Sequence, residues 1–109
     1  MEVFDGAELK ARLSRSGEAW TEFLRVPALS AGLYRLAAGA EDRQTPHHED
    51  EVYVIIAGRA SLRVEGEDRR VGPGSIAFVA AEAEHRFHSI DEDLAAVVVF
   101  APAESLDEG

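Results

Sequence analysis

The stretch GAEDRQTPHHEDEVYVIIAG, residues 39–58, decides how the chain is read. Its second half sets Val52, Tyr53, Val54, Ile55 and Ile56 in succession after Glu51, and all five are good strand formers. Pleating places Glu51, Tyr53 and Ile55 on one face and Val52, Val54 and Ile56 on the other. The first half carries His47 ahead of three polar residues, His48, Glu49 and Asp50. On one straight strand His47 and Glu51 would stand about 13 Å apart, too far to share an ion at roughly 2.0–2.2 Å. A reversal within the three polar residues instead puts the two on facing positions of a hairpin, with Cβ atoms about 4.5–5.5 Å apart. Residues Gln44 to His47 are then a short strand of their own. A carboxylate turned into a closed sheet is costly without a partner, and a divalent cation held with neutral imidazoles removes that cost. His85 supplies a second imidazole after another short strand. Two histidines and one carboxylate suit Zn²⁺ or non-haem Fe²⁺ and leave coordination positions open.

Outward from this stretch, strands recur at short spacing. Trp20, Glu22 and Leu24 alternate with Thr21, Phe23 and Arg25, and Pro27 closes that segment. Residues Ala31 to Ala37 form the next strand, ended by Gly39. Gly58 is expected to turn the chain back into a strand over Ala60 to Glu65, and a turn at Glu65 to Asp68 leads into Arg69 to Val71. The tight turn Gly72-Pro73-Gly74 precedes strands over Ile76 to Val79, His85 to Ile90 and Leu94 to Phe100, the last two parted by a turn at Asp91-Glu92-Asp93. One helix comes first, over about residues 6–15: Asp5 and Glu8 form a capping box, Phe4 and Leu9 a hydrophobic staple, and Leu9 and Leu13 share a face before Gly17. Many short strands with turn signals between them mean an all-β barrel or sandwich. The expected organisation is a single domain over residues 1–109, with a barrel over about 19–101 and a frayed acidic tail over 102–109.

Composition narrows the function. The 109 residues suffice for one core, and the formal net charge of -10 disfavours a phosphate backbone, so nucleic acid is not an expected partner. The chain has no cysteine, which excludes disulfides and thiolate metal sites. The amino terminus lacks the order of a secretory signal, and no apolar run is long enough for a membrane helix. A cytoplasmic protein with no membrane partner is the expectation.

Taken together, the two histidine-bearing pieces resemble the two motifs of the cupin superfamily. The first family motif is Gly, five residues, His-x-His, three or four residues, Glu, six residues, Gly. Glu51 and Gly58 match its end and His47 its second histidine, while Thr45 stands where the first histidine belongs. The second motif is Gly, five residues, Pro-x-Gly, two residues, His. Gly74 to Val79 begins like it, Ala81, Glu82 and Ala83 replace Pro-x-Gly, and His85 stands on the histidine. The likeness covers roughly Leu33 to Phe100. It implies a double-stranded β-helix, jelly-roll-like barrel, and a divalent metal ion (Zn, Fe, Mn or Ni) on His47, Glu51 and His85. Gln44, Thr45 or a water is expected to fill the place of the missing histidine. His48 is the alternative if the turn is shifted by one residue.

The resemblance implies dioxygenase, decarboxylase or isomerase chemistry on a small polar molecule, with Glu49 or Tyr53 assisting proton transfer. A non-catalytic module that binds or senses a small ligand, and a structural cupin with a vestigial site, stay open beside it. Arg35 and Arg63 are expected to face solvent, and His88 is out of phase with His85. Small cupins commonly pair through sheet edges, so a homodimer built on the Trp20 to Arg25 strand is expected.

Overall fold

The computed structural model describes residues 1–105. Helix α1 spans Gly6–Ser16; the Asp5 carboxylate accepts from the Ala7 N–H, and Gly17, left-handed at φ 74°, donates its N–H to the Leu13 carbonyl. Leu9 and Leu13, one turn apart, are buried against Leu33 with Phe23 and Val97 beside them. The helix thus covers part of the outer face of a sheet. Phe4 packs against Phe23 in a tilted arrangement with ring centroids 4.7 Å apart.

Six strands follow among the described residues: β1 (Trp20–Val26), β2 (Leu29–Leu36), β3 (Asp50–Val64), β4 (Glu67–Val71), β5 (Ile76–Val79) and β6 (His85–Ala101). Every pairing is antiparallel, in the order β1-β2-β6-β3-β4, with β5 added alongside β3. The two long strands each serve two layers. Before Gly58, β3 lies between β5 and the second half of β6; after it, between β4 and the first half of β6. Tyr53, Ile55, Leu62, Phe87, Leu94 and Val98 point inward from both layers and make the core. This is a double-stranded β-helix, jelly-roll-like barrel with one short N-terminal helix.

Three expectations are corrected. Gly58 does not reverse the chain, and Asp91 to Asp93 do not separate two strands; β3 and β6 each run through. Gly58 takes φ 86°, and the Asp93 backbone packs where its Cβ would stand, so the pair bends together. Register shifts between Ile55 and Ser61 absorb the extra residues, the signature of bulges that let a strand turn a corner without losing its partner. Residues 41–47 form no strand. Pro46 has no N–H for a ladder, and Asp42 and Gln44 bond inward through their side chains.

The tail is the third correction. Residues 102–105 fold back across the barrel end: Ala103 N–H reaches the Pro27 carbonyl at 3.3 Å and Glu104 N–H the Ser30 hydroxyl at 2.8 Å. The Ser105 N–H reaches Glu49 at 3.0 Å. The remaining tail, 106–109, lies outside the described residues. Among the described residues no helix is long and apolar enough to cross a membrane.

Candidate metal centre

Glu51 is the second residue of β3, flanked by Phe100 of β6 and Val79 of β5. Pleating turns it inward with Tyr53 and Ile55, and only 2% of its surface is exposed. His85 opens β6 and is 7% exposed. Its Nδ1–H donates to the Ala83 carbonyl at 2.8 Å, which leaves the Nε2 lone pair on the Glu51 side of the ring. His47 arrives by a different route from the expected hairpin. It is not paired with Glu51. It sits in the loop before β3, where its carbonyl accepts from the Glu82 N–H at 2.7 Å and its ring meets Phe100 edge-on at 4.9 Å.

These three side chains converge, with one ligand atom from each lying within 4.8 Å of the others. An ion at about 2.0–2.2 Å holds its ligands about 3–4.4 Å apart, so the three atoms are near enough to share one once Glu51 and His85 part by a few tenths of an ångström. His85 Nε2 and Glu51 Oε1 are 2.7 Å apart, yet among the described residues neither atom has a properly aligned hydrogen-bond partner, and Glu51 Oε2 has none either. Buried polar atoms left in that state are costly. A cation between them satisfies all three, which is the fit expected of a metal site. Burial by itself lowers the His85 pKa, but the Glu51 carboxylate and the Ala83 carbonyl outweigh it and leave it raised.

Gln44 lies beside the triad. Asp42 fixes it: one Asp42 oxygen accepts from the Gln44 amide N–H at 2.7 Å and from the Phe87 N–H at 2.8 Å, while the other accepts from Tyr34 at 2.7 Å. The amide oxygen is thereby turned toward the site, 3.3 Å from His47 Nε2, and accepts from the Tyr53 hydroxyl at 3.1 Å. Burial and the nearby Glu51 charge push the Tyr53 phenol well up, so it stays a donor. A cavity reaching His47 and Glu51, with His85 buried just behind Glu51, measures about 180 Å³. Its polar end is Gln44, His47, Glu51 and Glu104; Trp20, Tyr34, Val98 and Phe100 form its apolar wall.

The comparisons fit this geometry. The family model described as a cupin domain matches residues 32–101, about two thirds of the chain. The chain is a cupin. An uncharacterised protein of Streptomyces coelicolor is 45% identical over 105 residues, covering 96% of this cupin and 100% of that protein. A structure of unknown function from Rhizobium leguminosarum is 25% identical with a TM-score of 0.77, covering 94% of this chain and 97% of that one. KdgF from a Halomonas species is 21% identical with a TM-score of 0.69, covering 80% and 90%. The DMSP lyase DddQ of Ruegeria pomeroyi is 24% identical, also at 0.69, covering 81% of this chain but 49% of that one. Identity at that level carries the fold alone. The family match ends at Ala101, so the segment holding Glu104 lies beyond it.

Other candidates fall outside the cavity of this cupin. His48 is turned to solvent and pairs with Glu82 at 2.6 Å, so it does not join the triad. Glu49 is buried, but its carboxylate is held by the N–H and hydroxyl of Ser105. His88 pairs with Asp68, Arg63 with the same Asp68, and Arg35 with Ser14, all on the outside. Sequence reading missed Asp42, Trp20 and Glu104. Asp42 is one acidic residue among several in a loop, and Glu104 sits in a run that reads as solvated tail.

Proposed function

We propose that this cupin binds one divalent cation through His47, Glu51 and His85, with the Gln44 amide oxygen as a further donor, and uses it to anchor a small polar molecule in the barrel. The observation that supports this most is the set of orphaned atoms on Glu51 and His85, buried and close together but not aligned for a hydrogen bond. When bound, such an ion supplies Lewis acidity and open coordination positions. The chain's own residues supply the rest. Trp20 and Phe100 offer an aromatic wall for an apolar portion of the ligand, and Tyr53 holds Gln44 in place while remaining protonated. At about 180 Å³ the cavity is smaller than the roughly 300–1,000 Å³ of drug-sized sites, so the ligand is a small one.

Zinc, iron, manganese and nickel all accept this donor set, and the ligand set is common to an enzyme and to a binding module. Turnover decides between them. Untagged protein loaded with each metal in turn is assayed for oxygen consumption and for conversion of small oxygen-rich acids, alcohols and sugars, beside His85→Ala. Turnover that His85→Ala abolishes makes the chain an enzyme at this site. Ligand-induced thermal stabilisation that requires the ion, without turnover, makes it a binding module. Conversion untouched by His85→Ala places the chemistry elsewhere.

A further inference from the structure

The two imidazoles of the triad differ in how they are held. His85 has its Nδ1–H on the Ala83 carbonyl, so its tautomer and ring orientation are set by backbone. For His47, Nε2 meets the Gln44 amide oxygen in hydrogen-bond geometry at 3.3 Å, while Nδ1 has the Glu104 carboxylate at 3.4 Å, within ion-pair reach but not aligned for a hydrogen bond as the ring is placed. These two acceptors compete for one proton on a neutral ring. A carboxylate is the stronger acceptor, since hydrogen bonds to an ionised partner are roughly twice as strong as neutral ones.

Glu104 is not there by the accident of a loose end. Its N–H donates to the buried Ser30 hydroxyl and its carbonyl accepts from Arg25 at 2.9 Å. Arg25 is itself held by Glu22 on the same strand. On either side, Ala103 is bonded to Pro27 and Ser105 to Glu49. Four successive anchors therefore deliver one carboxylate to the cavity wall behind His47.

We infer that the segment of residues 102–105 is a strap that completes the metal centre, and that Glu104 is its positioning residue. Glu104 takes the His47 Nδ1–H, and this presents the Nε2 lone pair to the cavity beside Gln44, Glu51 and His85. The strap thus does for His47 what the Ala83 carbonyl does for His85. Outer partners of this kind commonly tune metal affinity 10–100-fold. The inference rests on the proposed metal site, and its test separates the two.

Wild type, Glu104→Ala and Glu104→Gln are compared in two measurements. The first is ¹⁵N NMR of the imidazoles in the metal-free protein, at a pH where the rings are neutral. Wild-type His47 is expected as the Nδ1–H tautomer; in Glu104→Ala the proton moves to Nε2, toward Gln44; Glu104→Gln, which keeps an acceptor oxygen, restores Nδ1–H in part. His85 stays Nδ1–H in all three. The second is Zn²⁺ affinity by chelator competition, expected to weaken about 10–100-fold in Glu104→Ala, with partial recovery in Glu104→Gln. Unchanged Ala103 and Ser105 amide shifts show that the strap remains seated, because its anchors on Ser30 and Pro27 are backbone donors. A His47 tautomer indifferent to both substitutions overturns the inference, whatever the metal result. A wild type that takes up no ion but shows the tautomer change removes the metal site and leaves Glu104 holding His47.

Discussion

The Glu51–His85 contact is a poor way to stabilise a fold and a good way to hold an ion. Two groups, each with a side chain about 1% exposed, sit 2.7 Å apart with no other partner for the facing atoms among the described residues. Removing one member of a buried pair strands the other, so Glu51→Met or His85→Leu alone should lower the stability of metal-free protein by about 3–5 kcal/mol. The double variant, which replaces both by apolar groups of similar bulk, should be as stable as wild type or more so by about 1–4 kcal/mol, while losing metal uptake. Denaturant unfolding of the four proteins checks this. A double variant as damaged as the sum of the singles would mean that the two groups act independently and that the buried-pair account is wrong. At this scale the sequence was partly legible. Alternation fixed the facing of Glu51, and the spacing to Gly58 marked it as the family's carboxylate. The contribution of Glu104 was not legible, because it depends on a strap whose bonds to Ser30 and Pro27 span most of the chain.

Bends and clamps decide matters among the elements. The two strands that carry the site, β3 and β6, turn their corner at Gly58, whose left-handed backbone touches Asp93. Gly58→Ala should cost at least about 3 kcal/mol, combining strain with overpacking. Gly39→Ala, equally left-handed at φ 77° but in open space, should cost only about 1–2 kcal/mol. Equal losses in thermal or denaturant unfolding would deny the corner its role. Strand β4 is tied down from outside by Asp68, which bonds Arg63 of β3 and His88 of β6. Arg63 first, and His88 after it, lower the Asp68 carboxyl to about 2 from its ordinary 3.8. A lowered carboxylate pKa contributes stability that is fully present above 3.8 and is lost as the pH falls toward 2. Protection of β4 amides from hydrogen exchange, taken relative to their intrinsic rates at each pH, should therefore fall over that window in wild type. In Asp68→Asn protection should already be lower at neutral pH and show no such step. Short-range signals placed most strands correctly. They failed at Gly58 and at Asp91 to Asp93, since a glycine in a strand reads the same way whether it bends the strand or ends it, and only pairing with a distant partner decides.

For the molecule as a whole, one surface remains apolar. Ile76 and Phe78 on β5 are 73% and 64% exposed, with Ile56 of β3 nearby in the same layer. Strand β5 pairs only with β3 among the described residues, and its sequence, IAFV, carries no charge to discourage a further strand. Strand β1, the other edge of that layer, carries the Glu22–Arg25 ion pair. The contact predicted for a homodimer therefore lies along β5 rather than along the β1 strand expected from the sequence. Light scattering should give the mass of two chains for wild type and of one for Ile76→Lys/Phe78→Glu; a single-chain mass for wild type would remove the contact. The barrel, the edge and the strap all matter to function only if the cavity holds an ion. The most direct test is the metal content of untagged wild-type protein by mass spectrometry, after incubation with divalent metal and desalting, beside the Glu51→Met/His85→Leu double variant. The expected result is one divalent ion per chain in wild type and none in the variant. Wild type free of metal, or a variant that keeps it, would contradict the account.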